Sequence, residues 1–353
     1  MAEMRAQSRP AAADAARAAS LVARHSTLPT PVTLALPGRE VAAIAADRTR
    51  IAWLEPRHVS FNALLSGSIY LRDLRTRRTV RYPGRAHDHE GSITTTAMVL
   101  GGSRALWQFI LEGNTFKAGS LYTAAPGDKA PRLLRHFEYS KHDDYPVPLP
   151  LIAADGDVIV YTDGAHSPRT LRRLIGGRPI QIALLSADAT SLAISGSTIA
   201  VELTKRRYDD EQRYSETRFV ELRRLDGGLL KRRQMPLDRR LIGFSGDSLV
   251  FARAGRLCCT AIEFRSARTG ALHATIPTPS YFDKVAVEGL SGVFIGPSGI
   301  VAFDARTKKL ELIARGSCGF PSRVSLEQRR VIWLEQAPDS GCRPRIRSVP
   351  LPR

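Results

Sequence analysis

The chain has 353 residues and an apolar fraction of 43%, and 52 basic against 34 acidic side chains give it a net charge of +18. No segment approaches the roughly 18 consecutive apolar residues of a transmembrane helix, so we expect no membrane span. The basic residues are nearly all arginine and are scattered rather than collected in one stripe, which argues against a nucleic-acid partner.

Residues 1–30 differ in composition from the rest of the chain. They contain ten alanines and four arginines and almost no β-branched residues. Alanine is the best helix former, so we predict a tail that is disordered or forms a short helix. The tail lacks the apolar segment of about 7–15 residues found in a signal peptide, which predicts a cytoplasmic protein for the sequence as written.

Short apolar runs recur from residue 31 onward. Seven of them align so that the fourth residue is always large and apolar, and all three tryptophans of the chain fall at this position. The fourth residues are Trp53, Trp107, Val160, Val201, Phe251, Ile295 and Trp333. Runs of strand type that repeat every 40–50 residues or so are typical of β-propeller blades with four strands each.

A second repeat supports this interpretation. Asp73-Leu-Arg-Thr76, Ser266-Ala-Arg-Thr269 and Asp304-Ala-Arg-Thr307 have the pattern of one turn that occurs three times, in which the first side chain can bond the backbone two residues on. Over residues 31–352 the chain thus resembles the TolB-like and WD40-like β-propeller superfamily. We predict an all-β fold with seven four-stranded blades in one domain, residues 31–353, and a count of six or eight blades stays open.

Closure of the ring is also predictable. The last blade begins near Ser322, and its third strand, near Arg345–Pro350, reaches the end of the chain, so this blade lacks a fourth strand. Residues 31–36 precede the first blade and contain the spare strand Val32-Thr-Leu-Ala-Leu36. We predict that this strand pairs with the last blade, because closed β-folds avoid exposed edges.

The strand assignment also sorts the loops between the two faces of the ring. In each blade, the connection from the second to the third strand and the crossover to the next blade open on one face, here called the loop face. Aromatic and ionisable residues are concentrated there, which is typical of a binding surface. The candidates are His58, His87, His89, His142, Asp143, Asp144, Tyr145, His166, Tyr208, Tyr214 and Tyr281.

Within this set, His87 and His89 are weak candidates for metal ligands, since they flank Asp88 and precede Glu90. The alternative is a solvated polar loop without metal. No catalytic or nucleotide-binding motif is present, and Gly243-Phe-Ser-Gly246 is one residue short of a nucleophile elbow. We therefore predict no cofactor.

Two functional hypotheses follow. The first is a non-catalytic, monomeric propeller that binds a protein, peptide or cell-envelope partner with the loop face. The alternative is a propeller hydrolase or lyase with a site at the mouth of the central channel. In that case two or more of His58, His87, His142 and His166 should meet carboxylates.

The four cysteines bear on localisation. Cys258 and Cys259 are adjacent in a predicted strand and point to opposite sides, so we expect no bond between them. The blade assignment brings Cys318 and Cys342 to neighbouring loops of the last blade, where they could form a disulfide. A bridge would indicate an extracytoplasmic protein, and free thiols would favour the cytoplasm.

Overall fold

All regular secondary structure in the described part of the chain is β-strand. The structure is a computed structural model and describes residues 28–352 except 60–62, 84–91, 113–115, 141–149, 164–168, 209–213, 255–258, 279–281, 283, 316–319 and 338–341. No helix among these residues is long and apolar enough to cross a membrane. The proposed tail, residues 1–30, falls almost entirely outside the described residues, so the division into tail and domain stays a prediction.

The strands form seven antiparallel sheets of four, which confirms the predicted fold class. In chain order they are β1 (Val32–Ala35), β2 (Ala43–Ala46), β3 (Arg50–Val59), β4 (Ala63–Asp73), β5 (Thr79–Pro83), β6 (Ser92–Gly101), β7 (Arg104–Glu112), β8 (Phe116–Ala124), β9 (Arg132–Ser140), β10 (Ile152–Asp155), β11 (Val158–Thr162), β12 (Arg169–Ile175), β13 (Arg178–Leu185), β14 (Asp188–Ser195), β15 (Thr198–Tyr208), β16 (Tyr214–Arg224), β17 (Leu229–Met235), β18 (Arg239–Ser245), β19 (Ser248–Ala254), β20 (Cys259–Ser266), β21 (Leu272–Pro277), β22 (Val285–Glu288), β23 (Ser291–Gly296), β24 (Gly299–Asp304), β25 (Lys309–Ala314), β26 (Phe320–Glu327), β27 (Arg330–Ala337) and β28 (Cys342–Pro350).

Blade 1 consists of β2 to β5, and each of the next five blades takes the following four strands. Blade 7 is β26, β27, β28 and then β1, in that order from the axis outward. Val32 pairs with Ser348 and Thr33 with Arg347, so the first strand closes the ring as predicted. The first strands of neighbouring blades contact each other all the way round, including β26 with β2.

The core lies between the blades. In each blade one large side chain of the second strand packs against the preceding blade; Trp333, for example, is fully buried against Val293 and Ala302 of blade 6. The cross-strand partner of this position on the first strand is aliphatic in every blade. The pairs are Ile44–Trp53, Met98–Trp107, Ile152–Tyr161, Leu192–Val201, Leu241–Phe251, Val285–Phe294 and Val324–Trp333.

This register corrects two of the seven runs. In blade 3 the position equivalent to tryptophan is Tyr161 rather than Val160, and in blade 6 it is Phe294 rather than Ile295. Tyr161 packs with Leu106 of blade 2, whereas Val160 packs on the opposite side with Val201 of blade 4. A shift by one residue moves a side chain to the other face of its strand, so the two alignments are not equivalent.

The three repeated turns form, but the side-chain bond that they share reaches the amide three residues on rather than two as predicted. The backbone amide of Thr76 donates to Asp73 Oδ1 at 2.6 Å, that of Thr269 to Ser266 Oγ at 3.0 Å, and that of Thr307 to Asp304 Oδ1 at 3.1 Å. The bonds from Thr76 hold the pKa of the Asp73 carboxyl below its usual value. Each turn joins the third to the fourth strand of its blade on the face opposite the loop face, here called the turn face.

Candidate functional site

The loop face is where the predicted binding residues were expected. Eight of them lie outside the described residues: His87, His89, His142, Asp143, Asp144, Tyr145, His166 and Tyr281. The weak metal candidates His87 and His89 are among them, as is Cys318 of the proposed disulfide. These assignments therefore stay predictions.

The structure places the remaining three candidates in strands rather than in loops. His58 lies in β3, which extends to Val59, and Tyr208 and Tyr214 end β15 and begin β16. The sequence analysis had assigned all three residues to loops of the loop face, so the strands extend further than expected. Tyr208 and Tyr214 are direct cross-strand partners, so the backbone brings two of the candidates together.

The opposite end of the central channel, at the turn face, is fully described and forms a cavity of about 620 Å³. It is lined by the last residues of the first strands and by the turns that follow them. Five carboxylates from four blades line it, together with two guanidinium groups. These are Asp47, Asp155, Asp157, Glu288 and Glu327, with Arg48 and Arg50. In a chain of net charge +18 this is a local excess of negative charge.

Hydrogen bonds between blades circle part of this opening. In each, a side-chain oxygen at the end of one first strand accepts the backbone N–H of the turn in the next blade. The four bonds, in chain order, are Gly196 to Asp155 at 2.6 Å, Gly246 to Ser195 at 2.8 Å, Gly289 to Ser245 at 2.6 Å and Arg329 to Glu288 at 2.8 Å. They tie blades 3 to 7 together at the channel mouth.

Glu327 occupies the next position in this series but has no such bond in the described part of the chain. The following turn, in blade 1, is closed on itself, because Asp47 accepts the backbone amides of Thr49 and Arg50 at 2.8 Å each. Burial, and then the negative charges of Asp47, Glu288 and Asp155, raise the pKa of Glu327 to about 7. The mouth can therefore accept a positively charged group or take up a proton near neutral pH.

Sequence reasoning missed this opening, although a signal for it exists. A glycine follows the last residue of the first strand in five blades, at Gly102, Gly156, Gly196, Gly246 and Gly289. All five have left-handed φ angles between 53° and 62°, which glycine adopts without strain. In four of these blades the residue before the glycine lines the channel mouth; these residues are Asp155, Ser195, Ser245 and Glu288. Among the described residues, no group of three or more His, Cys, Asp or Glu is arranged to hold a metal ion.

Comparison with known proteins gives the fold and not a family. No family model matches the chain, and no curated protein does. Among solved structures, the fold is similar to a chain of the mitotic checkpoint complex, with a TM-score of 0.55 and 12% identity over 93% of this chain and 96% of that one. The propeller domain of the Trilobed protease from Pyrococcus furiosus has a TM-score of 0.55 and 8% identity over 87% and 94%.

A propeller domain from Myceliophteria thermophila is similar with a TM-score of 0.54 and 10% identity over 91% of this chain and all of that domain. The chain is thus a seven-bladed β-propeller, like these solved structures, so the fold implied by the resemblance drawn from the sequence is confirmed. The Pyrococcus furiosus domain is described as having an open velcro topology, whereas β1 closes the ring here. Identities this low show the fold alone.

Proposed function

We propose that the protein is a non-catalytic propeller that binds a protein, peptide or cell-envelope partner with its loop face. The observation that carries the proposal is the hairpin of β15 and β16. With eleven residues in each strand it is among the longest hairpins of the ring, and it places Tyr208 opposite Tyr214 at the loop face. Tyrosine is enriched at protein interfaces because it offers a large apolar ring and a hydroxyl group that bonds at the surface.

The ring itself suits such a role. Its strands are held by the continuous ladders of seven sheets and by closure through β1, so the loop face is presented on a rigid scaffold. The other named residues of this face, from His58 to Tyr281, would surround the hairpin as a polar and aromatic surface. This broad surface would bind the partner without catalysing a reaction on it.

The test compares two double variants of the full chain. One removes both rings, as Tyr208→Ser with Tyr214→Ser, and the control makes the same change at Arg75 and Arg77, which are exposed on the turn face. Proteins recovered with each variant from the source organism are quantified, and each candidate partner is then purified and titrated against the same variants. The proposal requires a purified partner that binds the wild type and the control and loses affinity for the tyrosine variant.

The enzymatic alternative has its own readout in the same experiment. Purified wild-type protein is incubated with peptide, ester and glycan substrates, with the His58→Ala variant as the comparison. Turnover that His58→Ala abolishes would replace the binding proposal with a hydrolase or lyase. A partner that binds both double variants with equal affinity would show that the binding surface lies outside the Tyr208–Tyr214 hairpin.

A further inference from the structure

A cleft opens on the outer side of the ring between blades 4 and 5. Its floor is apolar and consists of Val220 and Leu222 of β16 with Leu249 and Phe251 of β19, all of them buried. Its volume is about 150 Å³. An apolar cavity of about this size in a protein core can hold a benzene ring, so the cleft has room for one aromatic or branched aliphatic side chain.

The walls of the cleft are strongly basic. Lys231 and Arg233 project from β17, and Arg239 and Arg265 from blade 5. No aspartate or glutamate is among the described residues that line it. The cleft therefore combines an apolar floor with four positive charges at its edge.

These charges are only partly neutralised nearby. Arg239 and Arg265 both bond the buried carboxylate of Glu263, at 2.8 and 3.0 Å, and Arg253 also reaches it at 3.5 Å. Burial raises the pKa of Glu263, but the hydrogen bonds from Arg239 and Arg265 outweigh it, so the pKa lies below its usual value. Arg239 also pairs with the exposed carboxylate of Asp238 at 3.4 Å. Two carboxylates thus face three guanidinium groups, which still leaves an excess of positive charge.

Lys231 and Arg233 have no carboxylate partner among the described residues. Both donate to the backbone carbonyl of Arg268, at 2.7 and 2.5 Å. The Nε–H group of Arg233 is buried and has no acceptor in the part of the chain that the structure describes. Gly270 makes this position possible, because a Cβ atom there would lie 1.5 Å from Arg233 Nη1. A neutral carbonyl leaves both charges available to an anionic ligand.

The strand that carries Lys231 and Arg233 is also the edge strand of its sheet. β17 is the outermost strand of blade 4, and no other described strand pairs with its outer side. Leu229 and Leu230 on it are each 50% exposed. Exposed edge strands accept extended peptides, in which the main chain supplies affinity and alternate side chains enter pockets.

We infer that this cleft binds an extended acidic peptide segment of a partner protein, with one apolar side chain in the cleft and carboxylates on both sides of it. A flat lipid surface would satisfy the charges but would leave the concave apolar floor unfilled. The cleft uses none of the candidate residues of the loop face, so the inference stands apart from the proposed function.

The test uses an array of hexapeptides with two Glu or Asp residues on each side of one variable apolar residue. Each has a counterpart in which Lys replaces the acids and another in which Ala replaces the apolar residue. Fluorescence anisotropy with purified full-length protein then compares Lys231→Gln/Arg233→Gln with the control Arg132→Gln/Arg135→Gln. The control removes two exposed arginines from β9, the outermost strand of blade 2.

For the best acidic peptide we expect affinity to fall about tenfold or more in the cleft variant and to stay within about twofold in the control. Replacing its apolar residue with Ala should weaken binding to the wild type similarly, and this arm does not depend on any variant folding. An array with no acidic peptide above its lysine counterpart would overturn the inference. So would binding to phosphatidylserine vesicles, lost in the cleft variant, without binding to peptides.

Discussion

The fully buried carboxylate of Glu335 accepts a hydrogen bond from Arg347 at 3.0 Å, across two strands of the last blade. Arg347 also donates to the backbone carbonyl of Pro31, just before the closing strand, at 3.5 Å. A single side chain thus joins the core of blade 7 to the segment that closes the ring.

We expect Arg347→Met to destabilise the protein by about 3–5 kcal/mol, because it removes the guanidinium group that pairs with the buried charge of Glu335. Lys309→Met is the control, since Lys309 pairs with Glu311 at 2.9 Å but is 67% exposed. That variant should cost at most about 1 kcal/mol. Urea denaturation measures both free energies of unfolding. Equal values for the two variants would show that the Arg347–Glu335 pair has no special role.

Truncation tests closure directly. Deletion of residues 1–28 should leave the thermal midpoint unchanged, because the deleted segment contributes no described strand. Deletion of residues 1–38 removes β1 and exposes the edge of β28, so unfolding at lower temperature or aggregation is expected. Calorimetry measures the thermal midpoint of unfolding of each truncated protein. Identical midpoints would argue against closure of the ring by β1.

The indole N–H groups of the repeated tryptophans should differ in how much they contribute to the stability of the fold. Trp53 Nε1 donates to Glu55 Oε1 at 2.9 Å, whereas Trp107 Nε1 is buried with no acceptor in the described part of the chain. Both rings stack on a tyrosine of the third strand, Tyr70 and Tyr122. The pair is therefore well matched.

Replacing either tryptophan with alanine should cost about 3–5 kcal/mol through the cavity left behind. Replacement with phenylalanine removes only the indole N–H and part of the ring system. We expect Trp53→Phe to cost about 1–2 kcal/mol more than Trp107→Phe, because the buried carboxylate of Glu55 loses one of its donors and keeps the backbone amide of Gly38 at 3.1 Å. Chemical denaturation of the four variants gives the comparison. A larger loss for Trp107→Phe would contradict the assigned hydrogen bond.

The raised pKa of Glu327 leads us to predict that the free energy of unfolding depends on pH. Its raised pKa means that the folded chain binds a proton that the unfolded chain releases between about pH 4.3 and 7. The destabilising effect of the ionised carboxylate is therefore fully present above pH 7 and disappears as the pH falls through 7 toward the unfolded value.

Glu327→Gln should accordingly stabilise the protein at alkaline pH, by about 1–2 kcal/mol once solvent screening of this partly exposed group is allowed for. Below about pH 4.3 the gain should vanish. Thermal midpoints across this range provide the measurement, with the exposed Glu40→Gln as a control that should show no such trend. A gain that does not change with pH would contradict the role of the carboxylate charge.

The pair Cys318–Cys342 is testable by chemistry alone. Cys342 begins β28 opposite Ala337, so its backbone lies at the hairpin of the last blade near the loop face. We expect the two thiols to be bridged in natively expressed protein, and non-reducing peptide mapping would recover them as one linked peptide. Alkylation of both thiols would remove the bridge and favour the cytoplasm.

The sequence by itself determined the blades, the closing strand and the three repeated turns. Each depends on a local pattern: a large apolar residue after a turn, a spare strand before the first blade, or Asp or Ser three residues before Thr. Burial and backbone hydrogen bonding impose such patterns within a few residues, so they can be read in chain order. Even there, blades 3 and 6 were misaligned by one residue, because Val160 and Ile295 are as apolar as Tyr161 and Phe294.

Only the tertiary structure decided which residues meet across blades. Glu327 lies near Asp47, Glu288 and Asp155 because ring closure brings the first strands of several blades to one channel mouth. The basic cleft likewise exists only where Arg233 of blade 4 lies against Gly270 of blade 5. These contacts join residues from different blades, and no local pattern encodes them. They arise from packing the blades around a common axis.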